Sequence, residues 1–388
     1  MRDPLRILVV DDEPDLELLI RQKFRKHIRS AEIEFSFAAD GVEALELLQD
    51  GTDVDIVLSD INMPRMDGLS LLNGIQKLNK LLKVVMVSAY GDMGNIRTAM
   101  NRGAFDFITK PIDFEDLEIT IEKTRQELEA LRQSITLQSK LTALHRELEI
   151  ASQIQLSFLP SRFPAFPERS DIDVYATMIP AQEVGGDFYD FFLIDEHHLG
   201  FVLGDVSGKG VGAALFMAIT RTLIRSTALH STSAAECMTQ VNQTLFPETV
   251  PRMFVTVFFG ILDTRTGEVT YTNAGHHSPL ILRDGDRVEE AERTGGLGLC
   301  LKGDVKYQER TLQLAPGEML LLYTDGVTEA VNEDGGDYGD ERLKECLQTS
   351  SRESPGEIIR DVLRSVTYFS GGLTQADDIT MLAVQYRG

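Results

Sequence analysis

Acidic residues beside glycines recur in the C-terminal half of the chain, and their types and spacing suit divalent cations. Asp187 lies in EVGGDFYD, Asp205 in GDVSGKG, Asp325 in YTDGVTEA, and the pair Asp377 and Asp378 in ADDIT. Glycine neighbours let a metal ion and a phosphate approach the backbone closely. Oxygen ligands select Mg²⁺ or Mn²⁺ over zinc, and two ions that share a carboxylate activate the water between them. The four loops therefore predict a two-metal site for hydrolysis.

Two other interpretations of these glycine-rich segments fit less well. A nucleotide-binding P-loop requires a glycine where Leu203 stands and a hydroxyl residue where Gly210 stands. Glycine and aspartate also pair in hairpin turns, and we interpret RDGD at 283–286 in this way. GDVSGKG and YTDG each follow an apolar strand instead, which favours a site over a turn.

A second group of charged residues lies near the N-terminus. Asp11 and Asp12 follow the strand RILVV, Asp60 follows DIVLS, and Lys110 follows FDFIT. Three crowded carboxylates repel one another unless a cation joins them. A Mg²⁺ site beside an ammonium suits the transfer of a phosphoryl group to an aspartate. Taken singly, each aspartate could instead cap a helix.

The segments that position these N-terminal residues alternate short apolar strands with stretches of helical period. The strands are expected at Ile7–Val10, Ile33–Phe37, Ile56–Leu58, Val84–Val87 and Phe105–Ile108. This alternation predicts an α/β doubly wound, flavodoxin-like parallel sheet over residues 1–118. Ligands of such sheets bind at the carboxyl ends of the strands.

A long helix is expected between residues 114 and 159, where neither glycine nor proline occurs. Apolar residues recur there at three- and four-residue steps, namely Leu117, Ile121, Leu128, Leu131, Ile135, Leu141, Leu144 and Leu148. The step from Ile135 to Leu141 interrupts the heptad, and prolines from Pro160 onward end the helix. We assign residues 119–160 to a coiled-coil linker helix that pairs two chains as a homodimer.

Strand-like runs dominate the remaining chain. They include HLGFVLGDV, RMFVTVFFGILD, EVTYTNAG and EMLLLYTDG, with helical stretches near 211–230 and 233–246. This mixture predicts an α+β domain over residues 165–388.

Composition excludes several classes of function. The 388 residues carry a formal net charge of −23, which disfavours nucleic acid as a partner. The three cysteines have neither disulfide nor zinc spacing, the N-terminus reaches carboxylates too early for a signal peptide, and no apolar run is long enough to span a membrane. We therefore expect a cytoplasmic protein.

The N-terminal motif set resembles the receiver domain of bacterial response regulators. The resemblance covers about the first 120 residues and implies Asp60 as the phosphoacceptor. It also implies Mg²⁺ bound by Asp11, Asp12, Asp60 and the carbonyl of Asn62. Ser88 and Lys110 would contact the phosphoryl group, and Phe107 stands at the position of the family's switch aromatic, although a plain core phenylalanine is an alternative.

The C-terminal loops, in their order, resemble the metal-dependent Ser/Thr protein phosphatases of type 2C, in the bacterial branch typified by SpoIIE and RsbU. The resemblance spans about 165 to 388 and implies a central β-sandwich flanked by helices. It implies two Mn²⁺ or Mg²⁺ ions, with Asp205 bridging, the Val206 carbonyl on one ion, and Asp187, Asp325 and Asp377 on the other.

Three further positions follow from this second resemblance. Asp378 falls where the family usually keeps a residue behind the ligands, and Glu329 lies near the position of a third ion in some relatives. The phosphate-binding arginine of the eukaryotic branch has no counterpart in PAQEVGGD. Adjacent His276 and His277 point to opposite sides of a strand and so do not predict a shared metal.

Together the two resemblances imply a two-component response regulator whose phosphorylation controls a protein phosphatase. The implied partners are a sensor histidine kinase and a phosphoprotein, with an anti-sigma-factor antagonist as the expected substrate. The alternative is a non-catalytic phosphatase-fold scaffold that binds a sigma factor or its regulator. Loss of metal aspartates would favour the scaffold, and none is missing.

Overall fold

The computed structural model describes residues 3–78, 80–89, 92–248 and 253–388. The chain divides into two units, Met1–Ala143 and Leu144–Gly388. A single long helix, α6, runs from Phe114 to Phe158 and belongs to both. Within the described residues, none of the helices combines the length and apolar character that a membrane span requires.

The N-terminal unit is built on a parallel sheet with strand order β2-β1-β3-β4-β5. Its strands are β1 Leu5–Val10, β2 Ile33–Ala38, β3 Ile56–Asp60, β4 Lys83–Ala89 and β5 Asp106–Lys110. Its helices before α6 are α1 Pro14–Lys23, α2 Arg25–Arg29, α3 Gly41–Gln49, α4 Gly68–Lys77 and α5 Met93–Asn101. The predicted doubly wound fold is therefore confirmed.

The central position of β3 follows from its sequence. All five residues of β3 are buried, which an apolar run with helices on both faces requires. Val57 packs into the core on one face of the sheet, and Ile56 and Leu58 pack into the core on the other.

The first part of α6 belongs to the receiver unit. Leu117, Ile121 and Leu128 are buried in the same core as Ile56 and Leu58. These three residues therefore pack inside the chain. The prediction that they form part of an intermolecular seam is wrong. Farther along the helix, the predicted seam is exposed at Leu131, Ile135, Leu141 and Leu144.

The C-terminal unit contains two antiparallel five-stranded sheets, in the orders β13-β10-β9-β8-β7 and β12-β11-β14-β15-β6. The strands are β6 Ile172–Ile179, β7 Phe188–Leu193, β8 His198–Val206, β9 Val255–Asp263, β10 Glu268–Ala274, β11 Leu280–Arg283, β12 Arg287–Glu290, β13 Arg310–Gln313, β14 Met319–Tyr323 and β15 Ile379–Tyr386. The helices are α7 Val211–Ala228, α8 Ala234–Leu245, α9 Asp325–Thr328, α10 Gly339–Thr349 and α11 Pro355–Ser370, with a 3₁₀ turn at Phe246–Glu248.

Alternation along β14 shows how these layers stack. Leu320 and Leu322 pack into a core shared with the first sheet and with α7 and α8. Leu321 and Tyr323 point to the other face and pack with α10 and α11. The predicted β-sandwich flanked by helices is confirmed.

Candidate functional site

The N-terminal acidic residues converge at one edge of the parallel sheet. Asp60 ends β3, and Asp11 and Asp12 directly follow β1. Oxygen atoms from these three carboxylates all lie within 4.8 Å of one another. Because the carboxyl ends of parallel strands meet at one edge, the topology alone brings the three residues together.

Lys110 pairs with two of these carboxylates and with Glu13. It ends β5, and its Nζ lies 2.6 Å from Asp60 Oδ2, 2.9 Å from Asp11 Oδ2 and 3.0 Å from Glu13 Oε1. Burial favours the neutral amine, but the hydrogen bonds to these carboxylates outweigh it and raise the pKa of Lys110 above its usual value. Burial also raises the pKa of Asp11, against the opposing effect of Lys110. Glu13, which was not among the predicted site residues, is the third carboxylate beside the Lys110 ammonium.

The remaining receiver positions surround this edge. Ser88 lies in β4 with its hydroxyl buried and without a hydrogen-bond partner among the described residues. Phe107 is 36% exposed on the edge strand β5, so it is not a core phenylalanine. Asn62 is exposed, and its backbone N–H donates to Asp60 Oδ1 at 3.3 Å.

Asp187 and Asp205 form the centre of the C-terminal site. Asp187 precedes β7, Asp205 lies near the end of β8, and their side chains are hydrogen-bonded to each other. Asp187 is 2% exposed, and its Oδ2 accepts a hydrogen bond from the Thr324 hydroxyl at 2.7 Å. Burial and the charge of Asp205 raise the pKa of Asp187 well above its usual value. Burial, followed by the charge of Asp325, raises the pKa of Asp205 to about 6.

Asp325 and Asp377 face the same centre from the second sheet. Asp325 begins α9 directly beyond β14, and Asp377 precedes β15. Burial and the charge of Asp377 raise the pKa of Asp325. The side chain of Glu329 is exposed and lies near both carboxylates. Burial, followed by the charges of Asp325 and Asp377, raises the pKa of Glu329. Lys209 pairs with Asp377 at 3.2 Å.

Asp378 has a different role from its neighbour Asp377. Its two carboxylate oxygens accept backbone N–H groups of Ala181 at 2.8 Å and Gly186 at 2.7 Å. The N–H of Asp187 approaches the same oxygen as Gly186 at 3.4 Å. Asp378 thus fixes the loop that carries Asp187, which agrees with its expected place behind the ligands.

Glycine is required where this loop meets β8. A Cβ placed on Gly186 would lie 2.8 Å from the carbonyl oxygen of Val206, a distance that real Cβ atoms essentially never show. The close approach brings the Val206 carbonyl beside Asp187. Gln155 of α6 also holds the loop, since it donates to the Gly185 carbonyl at 2.5 Å and accepts the Gly185 N–H at 3.1 Å.

The donor set fits divalent cations. The site presents carboxylate and carbonyl oxygens, the ligands that Mg²⁺ and Mn²⁺ prefer. Within the described part of the chain, the only group of three or more candidate ligands within 4.8 Å is the receiver set. Among the described residues, the C-terminal carboxylates do not form such a group of three within 4.8 Å.

Proton release should accompany metal binding at this site. Because burial and the charges of neighbouring carboxylates raise the pKa values of Asp187 and Asp205, these groups hold protons to a higher pH than usual, and a metal that binds there would displace those protons. We expect the Mn²⁺ affinity of the chain to rise as the pH increases from about 5 to about 7. Calorimetry in buffers of different ionisation enthalpy measures the released protons. A binding enthalpy that is independent of the buffer would contradict this assignment.

Comparisons with known proteins find relatives of both units of the chain. Residues 7–122 match the response regulator receiver domain, and residues 195–387 match Stage II sporulation protein E, SpoIIE. Protein IcfG of Synechocystis sp. is 33% identical over 265 residues, which are 61% of this chain and 41% of IcfG. The phosphoserine phosphatase RsbU of Bacillus subtilis is 25% identical over 272 residues, which are 70% of this chain and 79% of RsbU. The chain thus spans less than half the length of IcfG and most of RsbU.

A solved structure supports the fold of the C-terminal unit. The SiaA-PP2C domain of Pseudomonas aeruginosa superimposes with a TM-score of 0.57 at 24% identity and covers 64% of this chain and 98% of that domain. The likeness concerns the arrangement of sheets and helices. The chain therefore joins an N-terminal response regulator receiver domain to a C-terminal phosphatase domain of the SpoIIE, or type 2C, kind.

Proposed function

We propose that this chain is a response regulator in which phosphorylation of Asp60 controls a metal-dependent phosphoserine and phosphothreonine protein phosphatase. The observation that supports the proposal is the approach of Asp187, Asp205, Asp325 and Asp377, from four separate segments of the chain, to one acidic site. Two carboxyl groups in hydrogen-bond contact must share either a proton or a cation, and a bound cation would replace the proton between Asp187 and Asp205. The proposed bounds are 1–118 for the receiver domain, 119–160 for the linker helix, whose first part packs in the receiver core, and 165–388 for the phosphatase domain.

In this proposal Asp205 would be the ligand shared by two Mn²⁺ or Mg²⁺ ions, and the Val206 carbonyl would hold one of them. Asp187, Asp325 and Asp377 would hold the other. When bound, the ions supply a nucleophilic water near neutral pH and stabilise charge on the phosphate. The chain's own residues orient these ligands. Thr324 fixes one oxygen of Asp187 by hydrogen bonding, and Asp378 fixes the loop. Glu329 is a candidate ligand for a third ion.

In the receiver, Asp60 accepts the phosphoryl group from a sensor histidine kinase. Asp11, Asp12, Asp60 and the Asn62 carbonyl bind Mg²⁺, which the crowding of the three carboxylates supports. Lys110 and Ser88 contact the phosphoryl group. Phe107, at the edge of the sheet, is the switch aromatic that responds to phosphorylation.

Acetyl phosphate should therefore label the chain once, at Asp60, in the presence of Mg²⁺. The product is an acyl phosphate, so hydroxylamine and base should remove it. Mass spectrometry of the intact chain measures the added phosphoryl group, and Asp60→Asn should abolish it. Exposed Asp67, which caps α4, provides the matched control, since Asp67→Asn should be labelled like the wild type. A label that survives hydroxylamine would point to serine or threonine instead.

The proposed substrate is a phosphorylated anti-sigma-factor antagonist, which would place the chain in a partner-switching pathway. The similarity to RsbU, a phosphoserine phosphatase, supports a phosphoserine substrate. The test is a screen of purified, phosphorylated antagonists with the chain and Mn²⁺, read as released phosphate. Binding to an antagonist without phosphate release would instead support the scaffold function.

A further inference from the structure

His276 lies between the two sheets of the C-terminal unit and is hydrogen-bonded to both. Its Nδ1 is 2.9 Å from the Thr256 hydroxyl of β9, and its Nε2 is 3.1 Å from the carbonyl oxygen of Tyr323, the last residue of β14. The residue is 8% exposed. One side chain thus connects the first sheet to the second.

The hydrogen bonds fix the state of this imidazole. A carbonyl oxygen can only accept, so Nε2 carries the proton and donates it to Tyr323. Nδ1 of a neutral imidazole is then an acceptor, and the Thr256 hydroxyl donates to it. Burial, and then the neighbouring His277, lower the pKa of His276 to about 3, which keeps the ring neutral at physiological pH.

The two residues that His276 contacts lie beside the candidate metal ligands. Thr256 is paired directly with Asp205 in the register of β8 and β9. Tyr323 lies two residues before Asp325, and the intervening Thr324 donates to Asp187. His276 therefore connects Thr256, which is paired with Asp205 in the first sheet, to Tyr323, which lies two residues before Asp325 at the end of a strand of the second sheet.

The loop that carries His276 is itself held firmly. The side chain of Asn273 accepts the N–H of His276 at 2.7 Å and donates to its carbonyl at 2.9 Å. Thr294 in turn bonds both the N–H and the carbonyl of Asn273, at 2.9 and 3.1 Å. The imidazole is thus presented from a fixed backbone and not from a free loop.

We propose that His276 is a positioning residue that sets the separation between Asp205 and Asp325, and thereby the affinity of the site for its metal ions. This inference rests on the proposed metal-dependent phosphatase function. Two ions that share a bridging carboxylate tolerate little change in the spacing of the other ligands. Since Asp205 and Asp325 come from different sheets, their spacing depends on what joins the sheets at this edge.

The test is a calorimetric titration of the full chain with Mn²⁺. His276→Phe keeps a ring of similar size but removes both hydrogen bonds, and we expect it to weaken Mn²⁺ binding about 10- to 100-fold. His276→Gln, whose amide N–H can still reach Tyr323, should recover part of the loss. Titration of Asp205→Ala gives the receiver contribution, which is subtracted from every trace.

Glu318→Ala is the control for a merely structural effect. Glu318 lies at the other end of β14, where it is buried and paired with Arg283 at 2.6 Å. Its loss should lower the melting temperature and leave the Mn²⁺ affinity unchanged. Wild-type affinity in folded His276→Phe would overturn the inference. If wild-type chain and Asp205→Ala titrate identically, the proposed function fails instead.

Thr256 offers a second, milder variant if His276→Phe does not fold. Thr256→Val removes one hydrogen bond to the imidazole and keeps the side-chain shape. We expect it to weaken Mn²⁺ binding about 2- to 10-fold, whereas Thr256→Ser, which retains the hydroxyl, should bind like the wild type. Equal affinity of the valine and serine variants would overturn the inference.

Discussion

Substitution of Asp205 by alanine is expected to slow the release of phosphate from a phosphoserine protein by at least about 1000-fold, or about 4 kcal/mol of lost transition-state stabilisation. The variant loses the carboxylate proposed to bridge both ions. It also removes the carboxylate with which Asp187 and Asp325 would together bind a cation. We therefore expect weak Mn²⁺ binding as well as slow turnover. Phosphate release and Mn²⁺ titration measure the two effects separately.

The control for this variant is Asp284→Ala. Asp284 is exposed in the turn between β11 and β12, where a glycine and an aspartate also lie side by side. It should retain wild-type turnover, which shows that the loss is specific to the aspartate in the metal site. Turnover near the wild-type rate in Asp205→Ala would contradict the catalytic assignment.

Much of the receiver site could be predicted because its geometry depends on local order alone. An aspartate or lysine that ends a parallel strand must lie at the carboxyl edge of the sheet. The strand ends of Asp60 and Lys110 were visible in the sequence, and the structure places their side chains 2.6 Å apart. Glu13 was missed because it lies beyond the strand end, where no pattern fixes the direction of its side chain.

The C-terminal site was harder to predict because its contacts join residues far apart in the chain. Asp377 and Asp378 are adjacent and chemically identical, and only the family resemblance separated their roles before the structure placed the Ala181 and Gly186 N–H groups against Asp378. The sequence predicted no shared metal at His276 and His277, and the hydrogen-bond partners of His276 on two different sheets could not be inferred from it. Such roles depend on how the sheets stack, which periodicity does not encode.

The same limit of sequence-based prediction applies to two helices and to part of the predicted coiled-coil seam of α6. We did not predict α10 or α11, although Ser354, Pro355 and Gly371 mark the ends of α11 by their capping positions. The apolar period of Leu117 and Leu128 predicted a helix correctly. The period could not distinguish packing within the chain from pairing with a second chain, because either arrangement buries the same apolar face of the helix.

The exposed part of that apolar face should pair two chains. In the second half of α6, Leu141 is 58% exposed and Leu144 is 53% exposed. We expect Leu141→Asp combined with Leu144→Asp to abolish the proposed homodimer. The double variant removes four apolar side chains from each dimer, at about 1.5 kcal/mol each, which raises the dissociation constant about 10⁴-fold. Sedimentation velocity measures this shift.

Leu128 is unsuitable for this test because it is buried in the receiver core, where an aspartate would unfold the domain. A better control changes Ser139 and Arg146 to aspartate. Both positions are one heptad apart and lie about opposite Leu141 and Leu144 on the helix. This control should remain dimeric, which separates loss of the seam from added negative charge.

We propose that pairing of the helices also provides a route from Asp60 to the phosphatase site. No glycine or proline interrupts the 45 residues of α6, and its Gln155 holds the loop that carries Asp187. In this proposal the interrupted heptad between Ile135 and Leu141 gives the paired helices two registers of similar energy, and phosphorylation biases the choice between them. In the monomeric double variant, we expect phosphorylated and unphosphorylated chains to release phosphate at the same rate. A monomer whose rate still changed on phosphorylation of Asp60 would refute coupling through paired helices, while leaving both sites as assigned.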